Sequence, residues 1–107
     1  MIKPGLKIVY SKGIDIDKIQ ELIYGIEEEG ILYQITVSEF EKIEKEKYTN
    51  GKSEIGIAIN LNGEIILNQK KYTKKFILKE NINSSKENLR TFGQNSARIL
   101  KGLPLKF

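Results

Sequence analysis

Ile55-Gly56-Ile57-Ala58-Ile59-Asn60-Leu61-Asn62-Gly63-Glu64-Ile65-Ile66-Leu67-Asn68 is the stretch that decides the architecture. Ile55, Ile57 and Ile59 alternate with the small residues Gly56 and Ala58, so this strand has no polar face. It is expected to be covered on both sides and to lie centrally in a sheet. Asn62-Gly63 is a hairpin signal, because these two residue types tolerate the positive φ of tight hairpin turns. Residues 64 to 68 should therefore return antiparallel to the central strand, and the sheet must be mixed.

Upstream, Leu6, Ile8 and Tyr10 alternate with Lys7 and Val9 in a first strand near residues 6 to 10, broken by Ser11-Lys12-Gly13. From Asp15 the period changes. Ile16, Ile19, Ile23 and Ile26 recur every three or four residues beside Leu22, which predicts a helix capped by Asp15 and stopped by Gly30. Residues 31 to 37 read as a strand, Ser38 as the cap of a short helix from 39 to about 48, and Thr49-Asn50-Gly51-Lys52-Ser53 as a turn. Downstream, the basic stretch Lys70-Lys71-Tyr72-Thr73-Lys74-Lys75 precedes a fifth strand at Phe76-Ile77-Leu78. Ser84 with Glu87 three residues later forms a capping-box pattern for a last helix, which Gly102 and Pro104 close. Gly93 interrupts that helical pattern. It has either a packing reason or marks a displaced helix start that Asn95 would cap. The fold class that follows is α/β: a three-layer α/β/α sandwich with a mixed, mostly parallel sheet of about five strands, one of them antiparallel.

The 107 residues suit one domain spanning 1–107, with 18 isoleucines for a core and 30% charged residues for a solvated surface. Cysteine and histidine are both absent, which excludes disulfides, thiolate zinc sites, cysteine nucleophiles and the commonest general base, and with them most hydrolase and redox mechanisms. No apolar run approaches the ~20 residues of a membrane-spanning helix, and the first residues carry no signal-peptide core, so a cytoplasmic location and no membrane partner are the expectation. A net charge of +4 permits a nucleic-acid partner without requiring one.

Glu27, Glu28 and Glu29 crowd the last turn of the first helix, where the macrodipole disfavours anions by ~0.3–1 kcal/mol each. At about 100° per residue, Glu27 and Glu29 flank the isoleucine stripe and Glu28 falls roughly opposite its centre, making Glu28 the outermost carboxylate. Two readings stay open: three solvated glutamates, or a carboxylate offered to a hard cation or a basic partner. Neighbouring glutamates on a helix diverge, so the acid and base of a glycosidase are not here. Arg98 and Lys101 are expected on the exposed side of the last helix near its C-terminus, as helix-end cations or partner contacts. The lysines between 70 and 75 have no stacking aromatic strand or Gly-x-x-Gly clamp beside them, which favours an ordinary basic loop or a lysine-protected strand edge over a nucleic-acid site.

Two segments together resemble a family. Gly25-Ile26-Glu27-Glu28-Glu29-Gly30-Ile31 and Gly93-Gln94-Asn95-Ser96-Ala97-Arg98-Ile99-Leu100-Lys101-Gly102-Leu103-Pro104 are similar to the small subunit of glycerol and diol dehydratase-reactivating factors, with Ile55-Gly56-Ile57-Ala58 matching the central strand between them. Leu32-Tyr33 stands where the family commonly has proline and phenylalanine, and Ser96-Ala97 where it has an Ala-Ala pair. The resemblance implies a non-catalytic partner of a large, chaperone-like ATPase subunit, in a hetero-oligomer with two of each chain. It also implies exchange with the medium subunit of a cobalamin-dependent dehydratase, so that damaged cobalamin is released. By the same resemblance, Glu28 supplies a ligand to a Mg2+ ion shared with the large subunit, Glu27, Glu29, Asn95 and Arg98 contact partners, and this chain alone binds neither cobalamin nor nucleotide. It allows association with a bacterial microcompartment. The competing readings are a medium-type subunit of a dehydratase itself and a basic RNA-binding adaptor.

Overall fold

The computed structural model describes residues 5–49 and 54–106, so most of the turn expected at 49 to 53 lies outside the described residues. Strands β1 (Leu6–Ser11), β2 (Tyr33–Ser38), β3 (Ile55–Ile59), β4 (Glu64–Gln69) and β5 (Leu78–Asn81) form one sheet in the order β2-β1-β3-β4-β5. β1 runs parallel to both β2 and β3, while β4 is antiparallel to β3 and β5. β4 is thus the one strand that opposes the other four. β3 lies in the middle of the sheet, and all five of its residues are buried.

Alternation along β3 divides the core between two faces. Ile55, Ile57 and Ile59 join Leu6, Ile8, Ile65 and Leu67 on the face covered by α1 (Gln20–Glu28) and α3 (Lys86–Lys101), which contribute Leu22, Ile23, Ile26, Leu89 and Phe92. Ala58 and Val9 turn to the other face and meet Ile43 and Tyr48, the latter on the single-turn helix α2 (Lys45–Tyr48). A Cβ at Gly56 would come within 1.8 Å of the Tyr48 carbonyl oxygen, so α2 rests directly on the backbone of β3. The three layers are those expected, with the α2 layer thin.

Several local expectations shift for identifiable reasons. The helix expected over 39 to 48 shrinks to α2, although Ser38 Oγ does accept from the Phe40 N–H at 3.1 Å. Residues 40 to 43 spend their backbone groups elsewhere: the Ser11 hydroxyl donates to the Phe40 and Glu41 carbonyls, the Leu61 N–H to Glu41, and the Ile43 N–H to Asn60 Oδ1. The first helix opens with a 3₁₀ turn, Ile16–Ile19, capped by Asp15 through the Asp17 N–H, and stops at Gly30 as expected. The hairpin is a four-residue loop closed by Gly63 N–H to Asn60 O, with Gly63 at φ +88°. The fifth strand begins at Leu78 rather than Phe76, after an Ile77 N–H bond to the Leu67 carbonyl. The last helix is capped by Ser85, whose Oγ accepts from the Asn88 N–H, because the Ser84 hydroxyl is taken by Glu80.

α3 runs unbroken through Gly93, so the displaced start capped by Asn95 is ruled out and the packing reason holds. A Cβ on Gly93 would lie 2.0 Å from the Leu22 carbonyl oxygen of α1. One on Gly25 of α1 would lie 2.2 Å from the Arg90 carbonyl oxygen of α3. Each helix presses its glycine onto the other's backbone. In a free helix interior Gly→Ala gains about 0.5–1 kcal/mol; here the sign should reverse. Gly93→Ala is expected to lower stability by about 1–3 kcal/mol, the range for overpacking a filled contact, as read by urea denaturation. A stabilised Gly93→Ala protein would contradict this packing.

Candidate functional site

The backbone contact between α1 and α3 sets the polar residues along both helices face to face. Arg90 Nη2 lies 3.1 and 3.0 Å from the two carboxylate oxygens of Glu21, and its Nε lies 3.4 Å from Glu28 Oε1. Gln94 Nε2 donates to Glu28 Oε2 at 2.9 Å. The Glu28 side chain nevertheless remains 46% exposed. Away from the sheet, as the helical wheel implies, it borders α3 instead of standing alone. The hydrogen bond from Arg90 to Glu21, reinforced by the Glu21 charge, raises the guanidinium above its usual value and marks Glu21 as its principal partner.

Glu29 behaves differently. Only 11% of its side chain is exposed, and it takes Arg98 Nε at 3.2 Å and Lys101 Nζ at 3.1 Å. Lys101 Nζ also donates to the Glu29 carbonyl oxygen at 2.7 Å, satisfying an end group of α1 that has no intrahelical partner. Burial pushes the Glu29 carboxyl up, but the Lys101 hydrogen bond and the Arg98 charge outweigh it and hold the group below the usual carboxylate range. Two cations in the last turn of α3 thus answer an anion at the unfavourable end of α1. Glu27 is exposed, and its carboxylate has no bonding partner among the described residues.

Arg98 and Asn95 are occupied within the chain. Arg98 is only 23% exposed, correcting the expectation of an exposed arginine, and its Nη1 donates to the Pro104 carbonyl at 3.0 Å as well as its Nε to Glu29. Asn95 is 7% exposed and grips both peptide groups of Lys106, with Nδ2 donating to the carbonyl at 2.8 Å and Oδ1 accepting from the N–H at 2.6 Å. Both residues strap the segment after α3 onto that helix. Glu27, Glu28, Glu29 and Arg98 are brought to one corner, while Asn95 faces the strap. Glu21, Arg90 and the packing role of Gly25 went unread in the sequence, because their partners lie about 70 residues away.

In open α/β sheets, ligands commonly bind beyond the carboxyl ends of the strands where the connections diverge. Here that crevice is closed by residues 40 to 43, held by Ser11 and Asn60. An open cavity of about 530 Å³ nearby is lined by Glu41, Lys42, Asn60, Leu61, Asn62 and Glu64. Its two amides are already engaged with Ile43 and Glu64. Among the described residues no group of three or more His, Cys, Asp or Glu side chains could hold a metal ion, and no helix is long and apolar enough to cross a membrane. The lysine-rich stretch is the loop between β4 and β5, pinned to α2 by Lys45 Nζ on the Tyr72 carbonyl and to β4 by Asn68 on the Lys75 carbonyl.

The dehydratase medium-subunit family matches residues 3–106, almost the whole chain. The chain belongs to that family. Its fold is also that of a solved glycerol dehydratase reactivase, with 26% identity, 98% of each chain covered and a TM-score of 0.87. A diol dehydratase-reactivating factor solved in complex with ADP and Mg2+ superposes with a TM-score of 0.84, covering 99% of this chain and 100% of that one at 23% identity. No curated protein matches the sequence. The resemblance and the α/β fold expected from the sequence are thereby both found.

The Glu29 pairing predicts a pH signature. A carboxyl held below its unfolded value stabilises the fold above the ordinary carboxylate range and loses that contribution as pH falls through the lowered value. Glu29→Gln should cost about 1–2 kcal/mol at neutral pH, the scale of charge-assisted hydrogen bonds with part of the site exposed. The difference from wild type in urea denaturation should shrink as the solution is acidified. A difference that stays constant across pH would show that the ion pairs contribute nothing.

Proposed function

We propose that the chain is the non-catalytic small subunit of a reactivating factor for a cobalamin-dependent glycerol or diol dehydratase. The observation that carries this reading is the end-to-end likeness to a glycerol dehydratase reactivase. In this role the chain pairs with a large ATP-hydrolysing subunit, two of each chain per assembly. It gives way to the dehydratase's medium subunit, whose family it shares, and damaged cobalamin then leaves the loosened enzyme. Shared fold is what makes such an exchange physically reasonable, since two chains of one shape can compete for one surface.

Glu28 is the residue proposed to reach a Mg2+ ion shared with the large subunit. Magnesium usually takes one or two carboxylates and completes six positions with other oxygens and water. The half-exposed Glu28 fits as one hard ligand, because Arg90 has Glu21 as its better partner and leaves Glu28 Oε1 loosely held. The remaining ligands must come from the large subunit and water. Glu27 lies on the same corner as a direct partner contact, whereas Glu29, Arg98 and Asn95 hold that corner and the strap in place. The second reading, a medium subunit of a dehydratase itself, is favoured by the family's name alone.

Glu28→Gln keeps the size and the Gln94 contact and removes the charge. Stability should stay within ~0.5 kcal/mol of wild type. Affinity for the large subunit, measured by calorimetry in magnesium, should fall about tenfold or more, with a smaller difference after chelation. Equal affinity of the two proteins in magnesium would reduce Glu28 to a solvated residue. The chain alone, assayed with ATP and with 1,2-diols, should show no turnover; turnover that tracks the protein through purification would overturn the non-catalytic reading.

A further inference from the structure

The two edges of the sheet differ in kind. β5 carries Lys79 and Glu80, with Lys79 paired to Glu64 at 2.8 Å and lying over the Phe76 ring, and the lysine-rich loop leads into it. Charge of this sort is how sheet edges avoid pairing with other chains. β2, Tyr33-Gln34-Ile35-Thr36-Val37-Ser38, has no charge, no proline and no bulge, and among the described residues it pairs only with β1. Of the eight exposed large apolar side chains among the described residues, four sit on it or beside it: Leu32, Tyr33, Val37 and Phe40.

The backbone of this edge is also open. Leu32 and Ser38 offer their carbonyls to the Leu6 and Lys12 N–H groups of the β1 side. With the two-residue alternation of a parallel ladder, Gln34 and Thr36 complete that pairing, leaving the N–H and C=O groups of Tyr33, Ile35 and Val37 facing outward. An exposed strand that combines free alternate peptide groups with apolar side chains is a template for strand addition.

The charges around the edge select the occupant. At the start of β2 lie Glu27 and Glu28, exposed and half-exposed, while Glu29 is already neutralised by Arg98 and Lys101. At its end lie Glu39, paired with Lys12 at 3.6 Å, and Glu41. A second copy added antiparallel would bring Glu39 and Glu41 together with Lys12 and Lys42, a set with no net positive charge to meet Glu27 and Glu28. We propose that the open edge of β2 receives an extended segment of a partner chain, uncharged where it pairs and basic where it passes Glu27 and Glu28. Assigning that segment to the large subunit rests on the functional reading above; the contact then continues from the Glu28 corner along the strand.

The test uses the full chain and the cognate large subunit. Amide hydrogen exchange should slow on complex formation at Tyr33, Ile35 and Val37, while Gln34, Thr36 and Ser38 are slow already in the free chain. Val37→Pro removes one outward donor from an edge strand without touching a bond to β1. It should weaken large-subunit binding at least tenfold, and Val37→Lys, which adds an edge charge without altering the backbone, should do the same. A wild-type complex whose three outward amides exchange as in the free chain overturns the inference alone, as does slowed exchange with unchanged affinity in both variants. Sedimentation showing a homodimer that protects these amides assigns the edge to a second copy and overturns it too. Failure of the wild-type chain to bind the large subunit at all overturns the functional reading and the partner named here.

Discussion

The contact on which the molecule depends is the crossing of α1 and α3 at Gly25 and Gly93. Neither position has room for a methyl group, since the opposing carbonyl oxygens lie 2.2 and 2.0 Å from where a Cβ would stand. Such close approach draws the helices into backbone contact and lets short polar links span them. Glu21 reaches Arg90, Glu28 reaches Gln94, and Glu29 reaches Arg98 and Lys101, across 66 to 72 residues of sequence. Hydrophobic burial against the sheet supplies the bulk of the driving force. The glycines decide the distance at which it acts.

The opposite face obeys the same rule on a smaller scale. Gly56 lets the Tyr48 carbonyl rest on β3, and Ser11 and Asn60 hold residues 40 to 43 over the strand ends. With that crevice filled by the chain itself, the two surfaces proposed for partners are the acidic corner at the end of α1 and the uncharged edge of β2. They are close along the chain, since only Gly30, Ile31 and Leu32 separate Glu29 from Tyr33.

Elements written in local periodicity were legible in the sequence. The alternation of Ile55, Ile57 and Ile59, the stripe from Ile16 to Ile26, and the Asn62-Gly63 turn led to the sheet order's centre, the first helix and the single antiparallel strand. Residues 39 to 44 were misread because tertiary hydrogen bonds from Ser11 and Asn60 outcompete a local helix that Ser38 is able to cap. Ser84 lost the capping role to Ser85 for a similar reason, its hydroxyl being drawn to Glu80. Of the site, the sequence located the three glutamates and put Glu28 outermost, but it could not say which of them the fold uses for its own ion pairs. Which of Glu27, Glu28 and Glu29 is spent on stability depends on where Arg98 and Lys101 arrive, and that is a property of the crossing. The family resemblance pointed to Glu28, and the geometry leaves Glu28 and Glu27 as the exposed pair.

A chain of the dehydratase medium-subunit family, with a close-packed helix pair beneath an acidic corner, is what the proposed role as a replaceable partner calls for. Recovery of activity by an inactivated, cobalamin-loaded dehydratase tests this most directly, measured with ATP, magnesium and fresh cofactor in the presence of the large subunit alone, this chain alone, or both. The account predicts recovery only when both are present. Full recovery with the large subunit alone, or none with both, would contradict it.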